Sequence, residues 1–295
     1  MDDAWIHRVY ARSFSLGHGF QYNEGIQEAG STSPLWIIVT APVHLAEPLG
    51  TNAVVLLVKV IGVLLGLAII WATAIIAREL SSSEWIGCFA ASLLAWDPRL
   101  LFSALSGMET LLLVALWTWA CVAILRGRYV LSLVLFGLTA VTRPEAVVIL
   151  PFSILAVINL IHHKGINLWT LAASIIPIVP FLLWMQFCRS VTGNWLPNTY
   201  YLKSSSFHLG FSQLQIAWQA LSQHGFASLW VYFLGLIMCV TFIKPKRSYA
   251  ILVCLLMLGA APVIYLLGVV GTRDVVLEGY YWTRWVDPAS IVLTI

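Results

Sequence analysis

Long apolar stretches recur along the whole chain and alternate with short polar turns. A helix that crosses the hydrocarbon core of a bilayer needs roughly 20 mostly apolar residues, within a range of about 17–25. Five stretches of this kind are Thr51–Ala77, Met108–Leu125, Gly165–Cys188, His224–Ile243 and Ser248–Val270. They show no strand-like alternation, and a helix satisfies its own backbone inside a membrane. The pattern predicts an all-α, polytopic bundle of transmembrane helices.

Shorter apolar stretches lie between the long ones. Trp85–Trp96, Tyr129–Thr142 and Ala146–Ile161 are each bounded by polar turns, and the chain must cross between their longer neighbours. Prolines interrupt Pro34–Ala46, which we interpret as an interfacial or partly re-entrant helix. Two regions follow: residues 1–50 as an extracytoplasmic loop with interfacial amphipathic helices, and residues 51–295 as a transmembrane domain.

The composition supports a membrane location and argues against a soluble domain. Hydrophobic residues make up 60% of the chain and charged residues only 10%, whereas a soluble domain carries roughly 25% charged residues. The net charge is +3 without a basic block, so we expect membrane lipids as partners and no nucleic acid. Tryptophan, which favours the bilayer interface, is abundant, with 14 residues.

Charges differ between alternate turns. One set of short turns is basic and has the cytoplasmic signature; it contains Arg78, Arg126, Arg128, His162, His163, Lys164, Lys244, Lys246 and Arg247. The other set holds all the carboxylates except Glu79 and Glu84, and we assign it to the non-cytoplasmic face. This face assignment requires a helix before residue 1, and the apolar run Val286–Ile295 stops partway. We therefore expect truncation at both ends.

Two adjacent carboxylates, Asp2 and Asp3, begin an amphipathic segment. We expect an apolar face opposite a polar one, formed by Trp5, Ile6, Val9 and Tyr10 against His7, Arg8 and Arg12. Crowding two carboxylates raises one pKa and suits a general base, and a divalent cation would offset their repulsion. Alternatively, the pair only complements the positive end of a helix dipole.

Several short motifs follow the carboxylate pair in order. They are Tyr10-Ala11-Arg12, Gly17-His18-Gly19, Thr32–Trp36, Ser106–Thr110, Thr142–Glu145 and Gly193–Thr199. This ordered set resembles the polytopic C-type (GT-C) glycosyltransferases. The similarity is to the bacterial branch that includes the mycobacterial terminal arabinofuranosyltransferases, and it extends from residue 2 to about Arg284.

The resemblance implies an enzyme of the bacterial cytoplasmic membrane with its active site on the non-cytoplasmic face. It would move a sugar from a polyprenyl-phosphate donor to a glycan, lipid or protein acceptor, with inversion. Asp2 or Asp3 would be the general base; which one is left open. A Mg²⁺ or Mn²⁺ ion held by the pair stays open as well, because some members of the superfamily need no metal.

Other polar residues on the same predicted face are candidates for substrate binding. A departing phosphate needs positive charge, and arginine offers a bidentate geometry. The cations at ends of predicted spans are Arg143, Arg189, Lys203 and Arg284, and the other candidates are His18, Glu109, Glu145 and Asn198. Each cation could instead be an interface anchor; Glu145 could pair with Arg143, His18 could complete a turn, and snorkelling is preferred for Lys59.

Two other functions fit a polytopic chain with polar residues at the ends of its spans. One is a transporter or lipid flippase, although transport sites tend to lie at the midplane between inverted repeats, and no such repeat is visible. The other is a non-catalytic fragment that retains the fold of an enzyme.

Overall fold

The computed structural model describes residues 2–198 and Tyr201, and for Asp2, Asp3, Pro144, Glu145 and Val148 it describes the backbone alone. This part of the chain is helical, without strands. Its α-helices are α1 (Asp2–Ser15), α2 (Pro34–Thr40), α3 (Thr51–Ser81), α4 (Glu84–Ala95), α5 (Pro98–Leu105), α6 (Thr110–Leu125), α7 (Tyr129–Ala140), α8 (Ser153–Lys164), α9 (Leu168–Ile175) and α10 (Val179–Thr192). Two 3-10 helices cover Ala41–Leu49 and Pro144–Phe152. Lys203, Arg284 and the last two predicted spans lie outside the described residues.

Helix α3 confirms the predicted helix over Thr51–Ala77 and continues to Ser81. Its 31 residues extend for about 45 Å at the usual rise per residue. Apolar side chains such as Leu56, Leu64 and Trp71 are exposed along it, as on a helix that faces lipid. Among the described residues, α3 is the single helix that is long and apolar enough to cross a membrane by itself.

Two further spans are formed only if each of two bent helix pairs is counted as one span. Helices α4 and α5 meet at 59°, where Asp97 accepts a hydrogen bond from the Arg99 amide and caps α5. Helices α9 and α10 meet at 48°. The span predicted over Gly165–Cys188 is therefore formed by two helices that meet at a bend, and it counts as a span only if the pair is taken together. Pro177 and Pro180 lie at the bend, and proline removes helical hydrogen bonds.

Helix α6 is buried on all sides and runs parallel to α3, whereas α5 runs antiparallel, since Ala104 meets Gly62 and Gly107 meets Val58. The contacts of α6 with α3 ascend along both helices, beginning with Leu111 against Gly66. Further along, the indole of Trp119 donates to the Ala68 carbonyl at 3.1 Å. The turn between α5 and α6 therefore lies near residue 62 of α3, at the end of the molecule where α1 packs.

The opposite end of the molecule, which we call the basic end, contains the turns at Arg78, Arg126 and His163. Helices α3 and α6 both finish there, since they run parallel. Tyr129 at the start of α7 stacks on His163 at the end of α8, with ring centroids 5.3 Å apart. The three turns that the sequence groups by their positive charge thus lie at the same end of the helices, as expected when successive spans alternate in direction. Their cytoplasmic location stays a prediction.

The close contact of α3 with α5 gives a prediction about packing. A Cβ atom at Gly62 would collide with the Ala104 carbonyl oxygen, so Gly62→Ala should separate the helices and destabilise the protein by about 1–3 kcal/mol. Gly66, one turn further on, has no atom closer than 3.8 Å to such a Cβ. Gly66→Ala should therefore leave the melting temperature unchanged or raised. Equal melting temperatures for the two variants in detergent would contradict this helix contact.

Candidate active site

Motifs that are far apart in the sequence meet at the α1 end of the molecule. The Trp36 indole donates to the Gly107 carbonyl at 3.2 Å, and the Leu35 amide donates to the Val141 carbonyl at 3.3 Å. Helix α2 thereby joins the turn before α6 to the turn after α7. Gly107 has a φ of +73°, a left-handed conformation that glycine adopts without strain.

A buried charged network, formed by His7, Glu109 and Arg143, lies beside these turns. His7 Nε2 is 3.1 Å from Glu109 Oε2, and Arg143 Nε is 3.5 Å from Glu109 Oε1. The exposed fractions of the three side chains are 7%, 3% and 4%. Charged groups this deep are stable only when they are paired. The network therefore connects α1 to the turns that precede α6 and follow α7.

Glu109, the residue immediately before α6, stays ionised in spite of its burial. Burial alone would raise the pKa of its carboxyl group, but Arg143 and His7 lower it by charge and hydrogen bonding, to about 2. Glu109 and Arg143, both expected to bind substrate, thus contact each other. The partner of Arg143 in this network, Glu109, lies in the turn before α6, and the predicted pairing of Arg143 with Glu145 lies outside the described side chains.

The faces of α1 differ from the sequence prediction. His7 was expected on the polar face, but it is buried with Tyr10 and Ala11, while Trp5 is 52% exposed. The prediction was wrong because Glu109, which comes from a distant part of the chain, pairs with the His7 ring. Tyr10 packs against Gly30, and burial together with the charge of Glu28 raises its pKa to about 12.

A pocket of about 400 Å³ lies on another face of α1, between α1, α3 and the end of α5. This volume falls within the range of small-molecule sites, roughly 300–1,000 Å³. Its lining residues are Ala4, Trp5, Arg8, Val54, Val55, Val58, Lys59, Phe102, Leu105, Ser106 and Gly107. Two cations thus border a mainly apolar cavity next to the first turn of α1, which carries Asp2 and Asp3.

Sequence reasoning missed Arg8 and favoured a snorkelling role for Lys59. The Arg8 guanidinium stacks over the Trp5 ring, 4.7 Å from its centroid. Ala4 and Arg8 are one helical turn apart and therefore lie on one face of α1. This spacing was the signal in the sequence that could have identified Arg8. No pattern in the sequence indicates that this face meets Lys59 of α3.

The pocket is surrounded by exposed apolar side chains. Leu56 and Val60 on α3, and Leu101, Phe102 and Leu105 on α5, are between 42% and 62% exposed. Exposed apolar side chains of this kind suit contact with lipid chains. The site therefore offers positive charge beside an apolar surface, an arrangement that suits an amphiphile with an anionic head.

Two other candidates, Arg189 and Asn198, lie near the end of α10. The Arg189 guanidinium is exposed and stacks on the Trp195 ring, 4.2 Å from its centroid. The backbone amide of Asn198 donates to the Ala29 carbonyl at 3.1 Å. Phe20 contacts the rings of Trp184 and Phe187. The loop after α1 is thereby fixed to α10 and to Asn198 of the last motif.

His18 lies at the far end of α1 from the pocket. Its side chain is exposed, and its amide donates to the Ser13 carbonyl at 3.1 Å, which closes the helix. The rise of α1 separates it from Ala4 by roughly 15–20 Å. The structure therefore does not bring His18 to the pocket.

Among the described residues, no group of three or more His, Cys, Asp or Glu side chains is arranged to hold a metal ion. The side chains of Asp2 and Asp3 are not part of that set, and a Mg²⁺ or Mn²⁺ site there stays a prediction. Comparisons of the chain with protein-family models, curated protein sequences and solved structures gave no match.

Proposed function

We propose that this chain is a polytopic membrane glycosyltransferase of the bacterial cytoplasmic membrane. It transfers a sugar from a polyprenyl-phosphate donor to a cell-envelope acceptor on the non-cytoplasmic face. The observation that carries the proposal is the pocket where Arg8 and Lys59 border an apolar cavity beside the first turn of α1. The convergence of the distant motifs on this end of the molecule supports it.

The donor is an amphiphile whose two parts match the two kinds of surface. Its phosphate binds between Arg8 and Lys59, and arginine suits a phosphate because its planar group donates two parallel hydrogen bonds. Its prenyl chain lies against the exposed apolar side chains of α3 and α5. The sugar, attached to the phosphate, is then held next to Asp2 and Asp3.

The reaction is a single displacement at the anomeric carbon. A carboxylate of the Asp2–Asp3 pair accepts the proton of the acceptor hydroxyl as its oxygen bonds to that carbon. The bond from the carbon to the phosphate oxygen breaks on the opposite face, and polyprenyl phosphate leaves with the electron pair. Arg8 and Lys59 stabilise the negative charge on the leaving group, so no second acid is needed. Phosphate contacts by Arg189, Lys203 and Arg284 stay predictions.

Replacing the two cations should weaken donor binding. A hydrogen bond to a charged group contributes about 1.5–3 kcal/mol, so Arg8→Gln and Lys59→Met should each lower the affinity for a polyprenyl monophosphate by about 10–100-fold. Binding is measured with the full chain in nanodiscs, with a labelled polyprenyl monophosphate as the probe.

Lys164→Met is the matched control, because Lys164 is exposed at the basic end and stacks on Trp169. It should bind the probe as the wild type does. Wild-type affinity in both Arg8→Gln and Lys59→Met would contradict the donor site.

A second candidate function, a transporter or lipid flippase, is favoured by the two bent helix pairs, since transporters build their sites from interrupted helices. Flux of a lipid-linked sugar across proteoliposomes without chemical change would support this function. The third candidate, a non-catalytic fragment, would bind polyprenyl phosphate without turnover.

A further inference from the structure

We infer that His7, Glu109 and Arg143 are positioning residues: their buried network holds the first turn of α1 beside the pocket and does not contact the substrate. This inference rests on the proposed function, because it assigns a role in the same reaction. It also changes the role that the sequence suggested for Glu109 and Arg143, which was direct binding of substrate.

Burial and pairing are the first argument. Each of the three side chains is at least nine-tenths buried, and Glu109 lies between the other two. A substrate could reach these groups only if the network opened. The pocket lies on a different face of α1, defined by Ala4, Trp5 and Arg8.

The register of α1 is the second argument. Position 3 is four residues before His7, so both positions lie on one side of the helix, one turn apart. Ala4, the next residue, borders the pocket. A contact that fixes His7 therefore fixes the backbone that carries the carboxylate pair, and the spacing couples Asp3 to the network more directly than Asp2.

The energetic character of the network is the third argument. A buried ion pair adds little net stability compared with apolar residues of similar volume, because desolvation offsets the attraction. The position of a reacting group affects the rate far more than such a pair affects stability, since an error of 1 Å can lower the rate by about 10²-fold. The network joins three separate segments of the chain, which suits it to fix that placement.

The contact itself is tested without any assay of transfer. The Asn amide nitrogen occupies the position of His Nδ1 and the Gln amide nitrogen that of Nε2, so His7→Asn loses the contact with Glu109 and His7→Gln keeps it. We expect His7→Asn and Glu109→Gln each to lower the melting temperature in detergent by several degrees. The melting temperature of the double variant should fall by less than the sum of the two single decreases, because both changes break the same interaction.

The role in the reaction is tested by steady-state transfer, with rates normalised to the folded fraction. His7→Asn should lower kcat by at least tenfold while the KM for the donor changes less than threefold, and His7→Gln should recover at least a third of the wild-type kcat. A network with only a structural role would lower the folded fraction and leave the normalised kcat unchanged. His162→Gln, an exposed histidine at the basic end, should match the wild type.

The outcomes separate this inference from the proposed function. Additive losses of melting temperature, or a wild-type kcat in folded His7→Asn, would overturn the positioning network in a chain that does transfer sugar. A wild-type chain that shows the coupling but transfers no sugar would contradict the proposed function, and the positioning role with it.

Discussion

Replacing Arg143 by methionine is expected to lower the free energy of unfolding by about 3–5 kcal/mol. The Arg143 guanidinium is 3.5 Å from the buried carboxylate of Glu109. Removing one member of a buried pair leaves the other charge uncompensated, which costs far more than the pair contributes in net stability. The change is measured by denaturant unfolding of the full chain in detergent.

Two further variants separate loss of the charge pair from loss of packing. In Arg143→Met/Glu109→Met both charges are absent, so most of the lost stability should return. Arg126→Met alters an exposed arginine at the basic end and should change stability by less than about 0.5 kcal/mol. If Arg143→Met unfolds like Arg126→Met, Arg143 does not stabilise Glu109.

Replacing both carboxylates at the start of α1 is expected to abolish most of the transfer. A positioned general base contributes about 10²–10⁴-fold to a rate, so Asp2→Asn/Asp3→Asn should lose activity by that factor. Binding of polyprenyl monophosphate should persist, because Arg8 and Lys59 hold the phosphate. The single variants identify the base, and the geometry of His7 favours a larger loss for Asp3→Asn.

The matched control for this change is Glu24→Gln. Glu24 is an exposed carboxylate in the loop after α1, on the same predicted face, and its variant should transfer at the wild-type rate. An unchanged rate in the double Asp variant would contradict the catalytic assignment, even if donor binding were intact.

The sequence predicts the helices well because apolar runs and prolines are local signals. Helix α3 and the interrupted segment after Pro34 follow from the pattern of the chain alone. The bends before Pro98 and near Pro177 are harder to predict, since a proline in an apolar run can either kink a helix or end it. The apolar run Gly165–Cys188 predicts a span but does not indicate the bend within it.

The site is only partly predictable, because its contacts join distant positions. The motifs around Trp36, Gly107 and Arg143 were identified one by one, but their meeting depends on the packing of α2, α6 and α7. The burial of His7 could not be predicted from α1, because its partner Glu109 lies about a hundred positions later. The spacing of residues in α1 predicts the face that carries Arg8, but it does not predict that this face packs near Lys59.

The most direct test of the account is transfer by the wild-type chain in proteoliposomes, with a panel of radiolabelled polyprenyl-phosphate sugars and an envelope extract as acceptor. We expect one donor to give labelled acceptor, with stoichiometric release of polyprenyl phosphate, and Arg8→Gln and Asp2→Asn/Asp3→Asn to suppress both products. If the wild type releases no polyprenyl phosphate from any donor, or moves an intact lipid-linked sugar across the bilayer instead, the assignment as a glycosyltransferase is contradicted.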